Sequence, residues 1–213
     1  MKNDKIESIE YNGLTADIYQ DTMYQDSPND WGDDGMFLVA FHRDFSVERD
    51  GFSQDVCRSI VDPKEYPDYK NEAAEIRREY HAFGLEAYIH SGVSLSLSYE
   101  GNYPDRRWDV SQLGLVFIAK SEARTKSKAR TLALGLIKTW NQNLSGDVYG
   151  YSIEATNDSC WGFYGYDSVK EAAQEALEYA WKSTQKKHED KKRAEIKNRV
   201  PLEKRTTFSL LLV

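Results

Sequence analysis

Apolar and polar residues alternate from Ile6 to Tyr19, and one dipeptide interrupts them. Ile6 to Tyr11 and Leu14 to Tyr19 each run with period two. Asn12-Gly13 between them suits positive φ at both central positions of a tight turn, so the segment predicts a β-hairpin. Met36 to Phe41 is a continuous apolar run of the kind a buried strand carries. From His42 to Pro67 the pattern is irregular, with a helical turn expected over Ser53 to Ile60. Ala73, Ala74, Ile76, Arg77, Tyr80 and Phe83 recur near helical spacing, predicting a helix over 71–83 that Gly84 stops. Leu85 to His90 and Val93 to Tyr99 flank Ser91-Gly92 as a second hairpin. Glu100 to Asp109 is a loop, and Leu113 to Ala119 has the makeup of a central strand. Ala129, Ala133, Leu136, Ile137, Trp140 and Leu144 form one apolar helix face, closed by Ser145-Gly146.

A third hairpin is expected from Val148 to Ala155 and Ser159 to Tyr164, turning through Thr156-Asn157-Asp158. Ser168-Val169-Lys170-Glu171 is a capping box that opens the last helix. Its apolar face is Val169, Ala172, Ala173, Ala176, Leu177, Ala180 and Trp181. Beyond Trp181 the stripe ends, while Glu189 with Arg193 and Glu195 with Arg199 stand in the favourable i,i+4 order. The helix is expected to continue, exposed, as far as Arg199, because Val200 precedes Pro201. Hairpins with helices between them predict an α+β fold. We expect a mostly antiparallel sheet with about three helices on one face and a projecting charged C-terminal helix. Residues 1–181 read as a single domain, since no linker divides them, and 182–213 as a basic helical extension with an apolar tail.

An aromatic content of 13% argues against disorder, and two cysteines exclude a disulfide scaffold or a four-thiolate zinc site. Met1-Lys2-Asn3-Asp4-Lys5 leads into the alternation rather than into an apolar signal core, and Leu113 to Ala119 is far short of a membrane span. A soluble, cytoplasmic protein with no membrane partner is expected. The formal net charge of −7 is divided unevenly. Residues 182–213 hold 10 Lys/Arg against 4 Asp/Glu, leaving 18 against 31 in the rest of the chain. An acidic body repels nucleic acid, which leaves the basic arm as the one place to attract it; a solvated helix end accounts for the same charges.

No glycine-rich phosphate loop is present. The acidic loop from Asp26 to Asp34 lacks the EF-hand order, because Phe37 stands where a bidentate glutamate is needed, so it reads as an exposed loop. His42, His81, His90, Cys57 and Cys160 show no metal-ligand spacing, and neither metal nor cofactor is expected. Cys160 lies on a strand where a buried structural thiol is the usual occupant, and His90 is placed to make a sheet-edge hydrogen bond. A small hydrolase or nucleotide-modifying enzyme would need Asp147, Asp158, Cys160 or His90 to converge in one cleft.

The densest chemistry is aromatic. Alternation puts Tyr149, Tyr151 and Ile153 on one face of the third hairpin's first strand. In the return strand it puts Trp161 with Phe163 on one face, and Cys160, Gly162 and Tyr164 on the other. Glycine within a strand admits a ring or another backbone at close range. Such a hairpin serves either as cross-strand aromatic–glycine packing in a core, or as a stacking platform for a base, a peptide or a partner's ring.

Gly146-Asp147-Val148-Tyr149-Gly150-Tyr151 with Asp158-Ser159-Cys160-Trp161-Gly162-Phe163-Tyr164-Gly165 resembles the signature of a family of uncharacterised phage and mobile-element proteins. Asn29-Asp30-Trp31 through Met36, Phe41-His42-Arg43, and Gly92-Val93 through Trp108-Asp109 to Ile118 are similar as well. The likeness spans roughly Trp31 to Tyr166, and the basic arm lies outside it. It implies an intracellular protein made by a phage or integrated element in a bacterium, and it carries no activity with it. Together with the absence of an assembled catalytic motif, it favours a non-enzymatic accessory protein that binds host or defence machinery, such as a counter-defence inhibitor. The candidate binding residues are Asp147, Tyr149, Tyr151, Asp158, Trp161 and Tyr164 of the hairpin, with Trp108 and Asp109.

Thr206 to Val213 is β-prone and uncharged, an aggregation hazard if left exposed. It is expected to dock as an added strand or in a groove, a swapped homodimer being the favoured form. Deleting Thr206 to Val213 is then expected to turn a dimer into a monomer by mass in solution. A chain that is monomeric before and after the deletion overturns the dimer.

Overall fold

The computed structural model describes residues 4–23, 27–30, 35–104 and 106–199. The chain runs through β1 (Lys5–Tyr11), β2 (Leu14–Gln20), β3 (Met36–His42), β4 (Phe45–Val47), α1 (Gln54–Val61) and α2 (Lys70–Glu79). It continues through β5 (Tyr80–Ile89), β6 (Val93–Leu97), β7 (Val110–Ala119), α3 (Lys126–Ser145), β8 (Val148–Ile153), β9 (Asp158–Tyr164) and α4 (Tyr166–Arg199). The fold is α+β with antiparallel pairing, as the hairpins predict, and its strands form two sheets. Among the described residues, those up to Thr22 and those from Tyr149 onward make one compact unit, and those from Met23 to Val148 make the other. Both units draw on residues 1–181, the span that reads as a single domain in the sequence.

The first unit has strand order β1-β2-β8-β9. Asn12 and Gly13 turn the first hairpin at φ of +48° and +82°, the pair of positive values that the dipeptide predicts. Ala16 and Ile18 of β2 pack with Tyr151 and Ile153 of β8 beneath α4, whose Val169, Ala173 and Leu177 are fully buried. Burial of a Leu or Val side chain contributes about 1.5–3 kcal/mol, so this stripe is what holds the helix to its sheet. Helix α4 starts at Tyr166, two residues ahead of the expected Ser168 cap. Past Trp181 its apolar stripe ends, and every residue from 184 to 199 is exposed. The tail from Val200 and most of the acidic loop from Asp26 to Asp34 lie outside the described residues.

The second unit has strand order β4-β3-β7-β5-β6, with β7 central as its composition predicts. Helices cover both faces of this sheet rather than one. Ala129, Ala133, Ile137 and Trp140 of α3 pack on Leu38, Leu85, Val116 and Ile118. Val56, Cys57 and Ile60 of α1, with Ala73 of α2, pack on Phe37, Val39, Leu115 and Phe117. The reason is in the central strands: Phe37 to Ala40 and Leu115 to Ile118 are apolar at every position, so either face left open would expose a run of them.

The helix expected over 71–83 ends at Glu79. Tyr80, Ala82 and Phe83 instead pair with Ala119, Phe117 and Val116, extending β5 along the whole of β7. Tyr80 and Ala82 face α1 and α2 while Phe83 faces α3, so period two prevails over helical spacing. The Ser53 hydroxyl accepts from the Val56 N–H and starts α1, and Gly146 ends α3 at φ +70°. Two asparagine amides occupy strand edges. Asn29 donates to the Leu38 carbonyl at 2.8 Å and accepts from its N–H at 3.1 Å, on the side of β3 where β4 does not reach. Asn141 does the same for Leu95 of the edge strand β6, at 2.9 and 2.7 Å. Each side chain fills main-chain positions that a foreign strand would otherwise pair with.

Candidate functional site

In the first unit Gly150 of β8 stands opposite Tyr19 of β2, on the sheet face away from α4. A side chain at Gly150 would run into the indole of Trp161, which lies across it from β9. Trp161 remains 41% exposed, and its ring centroid is 5.9 Å from that of Tyr19 with 35° between the planes. Lys5, opposite Tyr19 on β1, bonds Asp17 at 2.7 Å. The Lys5 ammonium holds the Asp17 carboxyl below its ordinary range against the opposing effect of burial, and the Ser8 hydroxyl adds to it. Both readings of the hairpin meet here. Aromatic–glycine packing holds the indole against the Gly150 backbone, while the residue stays partly exposed.

Trp161 and Phe163, which alternation places together, are on opposite faces. Gly162 between them has φ +81°, a value that interrupts the strand's alternation. Phe163 turns toward α4, 5.9 Å from Tyr151 between ring centroids. Tyr149 and Tyr151 share a face as expected, and that face is the one toward α4; Tyr151 is buried and Tyr149 meets Tyr166 edge-on at 5.6 Å. Tyr164 is half-buried. Cys160, expected to be a buried thiol, is exposed, on a strand that forms the edge of its sheet among the described residues. Burial, and then the charges of Asp158 and Cys160, push the Tyr151 phenol up. The structure therefore brings Tyr19 into the site, and moves Tyr149 and Tyr151 to the opposite face as its support.

Asp147, Trp108 and Asp109 belong to the second unit. Asp147 accepts from the Gln142 amide at 3.1 Å and ties down the end of α3. Trp108 is 80% exposed, and the Asp109 carbonyl accepts from the Ile89 N–H at 2.9 Å. His90 stacks on Tyr88 at 6.1 Å between centroids, and Tyr88 on Tyr103 at 5.4 Å.

What organises this aromatic loop is Glu86 of β5, which the sequence pattern does not single out. Its carboxylate is fully buried and accepts from the N–H of Tyr99 at 2.8 Å and of Gly101 at 3.2 Å. The Ser96 hydroxyl at 3.1 Å, the Gln112 amide at 3.3 Å and the Arg106 guanidinium at 2.8 Å complete the set. Burial pushes the Glu86 carboxyl up, but the Tyr99 N–H and the Arg106 guanidinium outweigh it and hold the carboxyl below its ordinary value. One signal in the sequence marks this residue: it is the single charge within the apolar run from Leu85 to Ile89.

Of the groups an enzyme would need, Asp147 and His90 are in one unit and Asp158 and Cys160 in the other. Burial pushes the Cys57 thiol up to about 12, which keeps it a thiol at neutral pH rather than a nucleophile. Among the described residues, no group of three or more His, Cys, Asp or Glu could hold a metal ion, and no helix is long and apolar enough to cross a membrane. Comparisons with protein-family models, with curated proteins and with solved structures find no match to this chain.

Proposed function

We propose that this chain is a non-enzymatic binding protein, an accessory protein of a phage or mobile element that engages a host or defence protein through the outer face of β2, β8 and β9. The observation that carries this reading is the Trp161 indole, laid on the Gly150 backbone beside Tyr19 and 41% exposed. A rigid, half-exposed Trp on a strand has little side-chain freedom left to lose on association, the property of an interface hot spot. Lys5 and Asp17 already satisfy one another, so the rim adds polarity without an unpaired charge to desolvate.

The test is a pair of measurements on Trp161→Ala. Because the ring is only partly buried, the loss of stability is expected to be about 1–2 kcal/mol, below that of a full core truncation. Partner affinity is expected to fall tenfold or more, the mark of a hot spot. The assay is quantitative capture from host lysate at several salt concentrations, with wild-type and variant chains side by side. A wild-type chain that holds no stoichiometric partner at any salt, or a variant that holds it equally well, overturns the reading.

A further inference from the structure

In the second unit, a cavity of about 530 Å³ opens between α1 and the sheet. That is the size of a small-molecule site. Its floor is apolar, with Cys57 and Leu115 3–4% exposed. Its mouth is different in kind: Asp62, Glu65 and Tyr99 are exposed there, and Tyr66 is half-buried.

Tyr99 is the feature that fold stability does not explain. Its backbone sits at φ +68°, a region that bulky L-residues rarely enter, held there by the Glu86 carboxylate on its N–H. The ring is 84% exposed, so the strained residue returns almost no packing to the fold. Glycine would make the same turn without strain. Backbone strain accompanied by an exposed ring at a cavity mouth marks a residue kept for what it touches.

The charges at the mouth select the occupant. Arg58, the cation there, is taken up by Asp55 at 3.4 Å and lies over the Tyr66 ring at 5.6 Å. Asp62 holds the N–H groups of Lys64 and Glu65 at 3.0 and 3.3 Å, which orients its carboxylate, and no ion pair among the described residues engages either Asp62 or Glu65. Two uncompensated carboxylates beside the exposed Tyr99 ring repel an anion and attract a cation, through both Coulomb and cation–π attraction.

We propose that this cavity binds a small amine with an apolar body, the body resting on Leu115 and Cys57 and the ammonium lying among Asp62, Glu65 and Tyr99. The site is independent of the Trp161 surface and of any protein partner there, and either can fail without the other.

The experiment titrates the full chain with tryptamine and, in parallel, with indole-3-propionate, which carries the same ring and the opposite charge. One saturable tryptamine site per chain is expected, with the acid bound at least about tenfold more weakly. Glu65→Gln is expected to narrow that gap. Tyr99→Gly is expected to weaken tryptamine several-fold while the melting temperature holds or rises, since the strain is relieved. Three results overturn the proposal: no saturable binding of the amine, equal binding of the acid, or a Tyr99→Gly chain that melts lower with its amine affinity intact.

Discussion

Glu86→Ala is expected to lower stability by about 3 kcal/mol. A buried ion pair loses about 3–5 kcal/mol when one partner is removed, and the lower end applies because Arg106 is 38% exposed and can return to water. The part-buried N–H groups of Tyr99 and Gly101 lose their acceptor at the same time, which adds to the cost. The same carboxylate sets the pH response. Its folded pKa lies below the ordinary 4.5, so the folded chain binds the proton less readily than the unfolded one. The stabilisation is therefore complete above about 4.5 and is lost as the pH falls through the depressed folded value. Denaturant midpoints at neutral and acid pH, for wild type and for Glu86→Gln, read this out. The variant should be less stable at neutral pH and lose less on acidification. A midpoint unchanged by the substitution at neutral pH would show that the loop from Ser98 to Arg106 does not depend on this carboxylate.

Gly150→Val is expected to reduce partner affinity at least tenfold and stability by about 1–3 kcal/mol, the range of overpacked sites. Valine suits a strand, and the backbone at Gly150 is not in the left-handed region, so the first obstacle an added side chain meets is the Trp161 ring. The indole must leave the Gly150 backbone, and the platform beside Tyr19 goes with it. Combining Gly150→Val with Trp161→Ala removes the clash. The double variant is expected to be more stable than the two single losses added together, the coupling that residues in contact show. Strictly additive losses would mean that the two positions do not share this contact.

Local features were legible in the sequence because they depend on residues close in the chain. Asn12-Gly13 dictates its own turn, Ala129, Ala133, Ile137 and Trp140 share a helix face whatever covers it, and the loss of apolar residues after Trp181 ends the buried part of α4. The aromatic–glycine pairing of the third hairpin was legible for the same reason. Helix α2 marks where local reading stops: Tyr80 and Phe83 satisfy helical spacing, and only β7 lying alongside makes them a strand. Gly162 marks it again, since a glycine's φ is settled by what its neighbours pack against, and that choice separated Trp161 from Phe163. The joining of β2 to β8, some of the most distant partners in the chain, leaves no trace in either hairpin, because each alternates in the same way with or without the other. Nor does the role of Glu86, whose partners from Ser96 to Gln112 converge only once β5, β6 and β7 are side by side. Sequence determined which residues prefer a turn, a helix face or a strand; tertiary pairing decided which exposed aromatics share a surface, since that depends on distant strands whose register no local pattern carries.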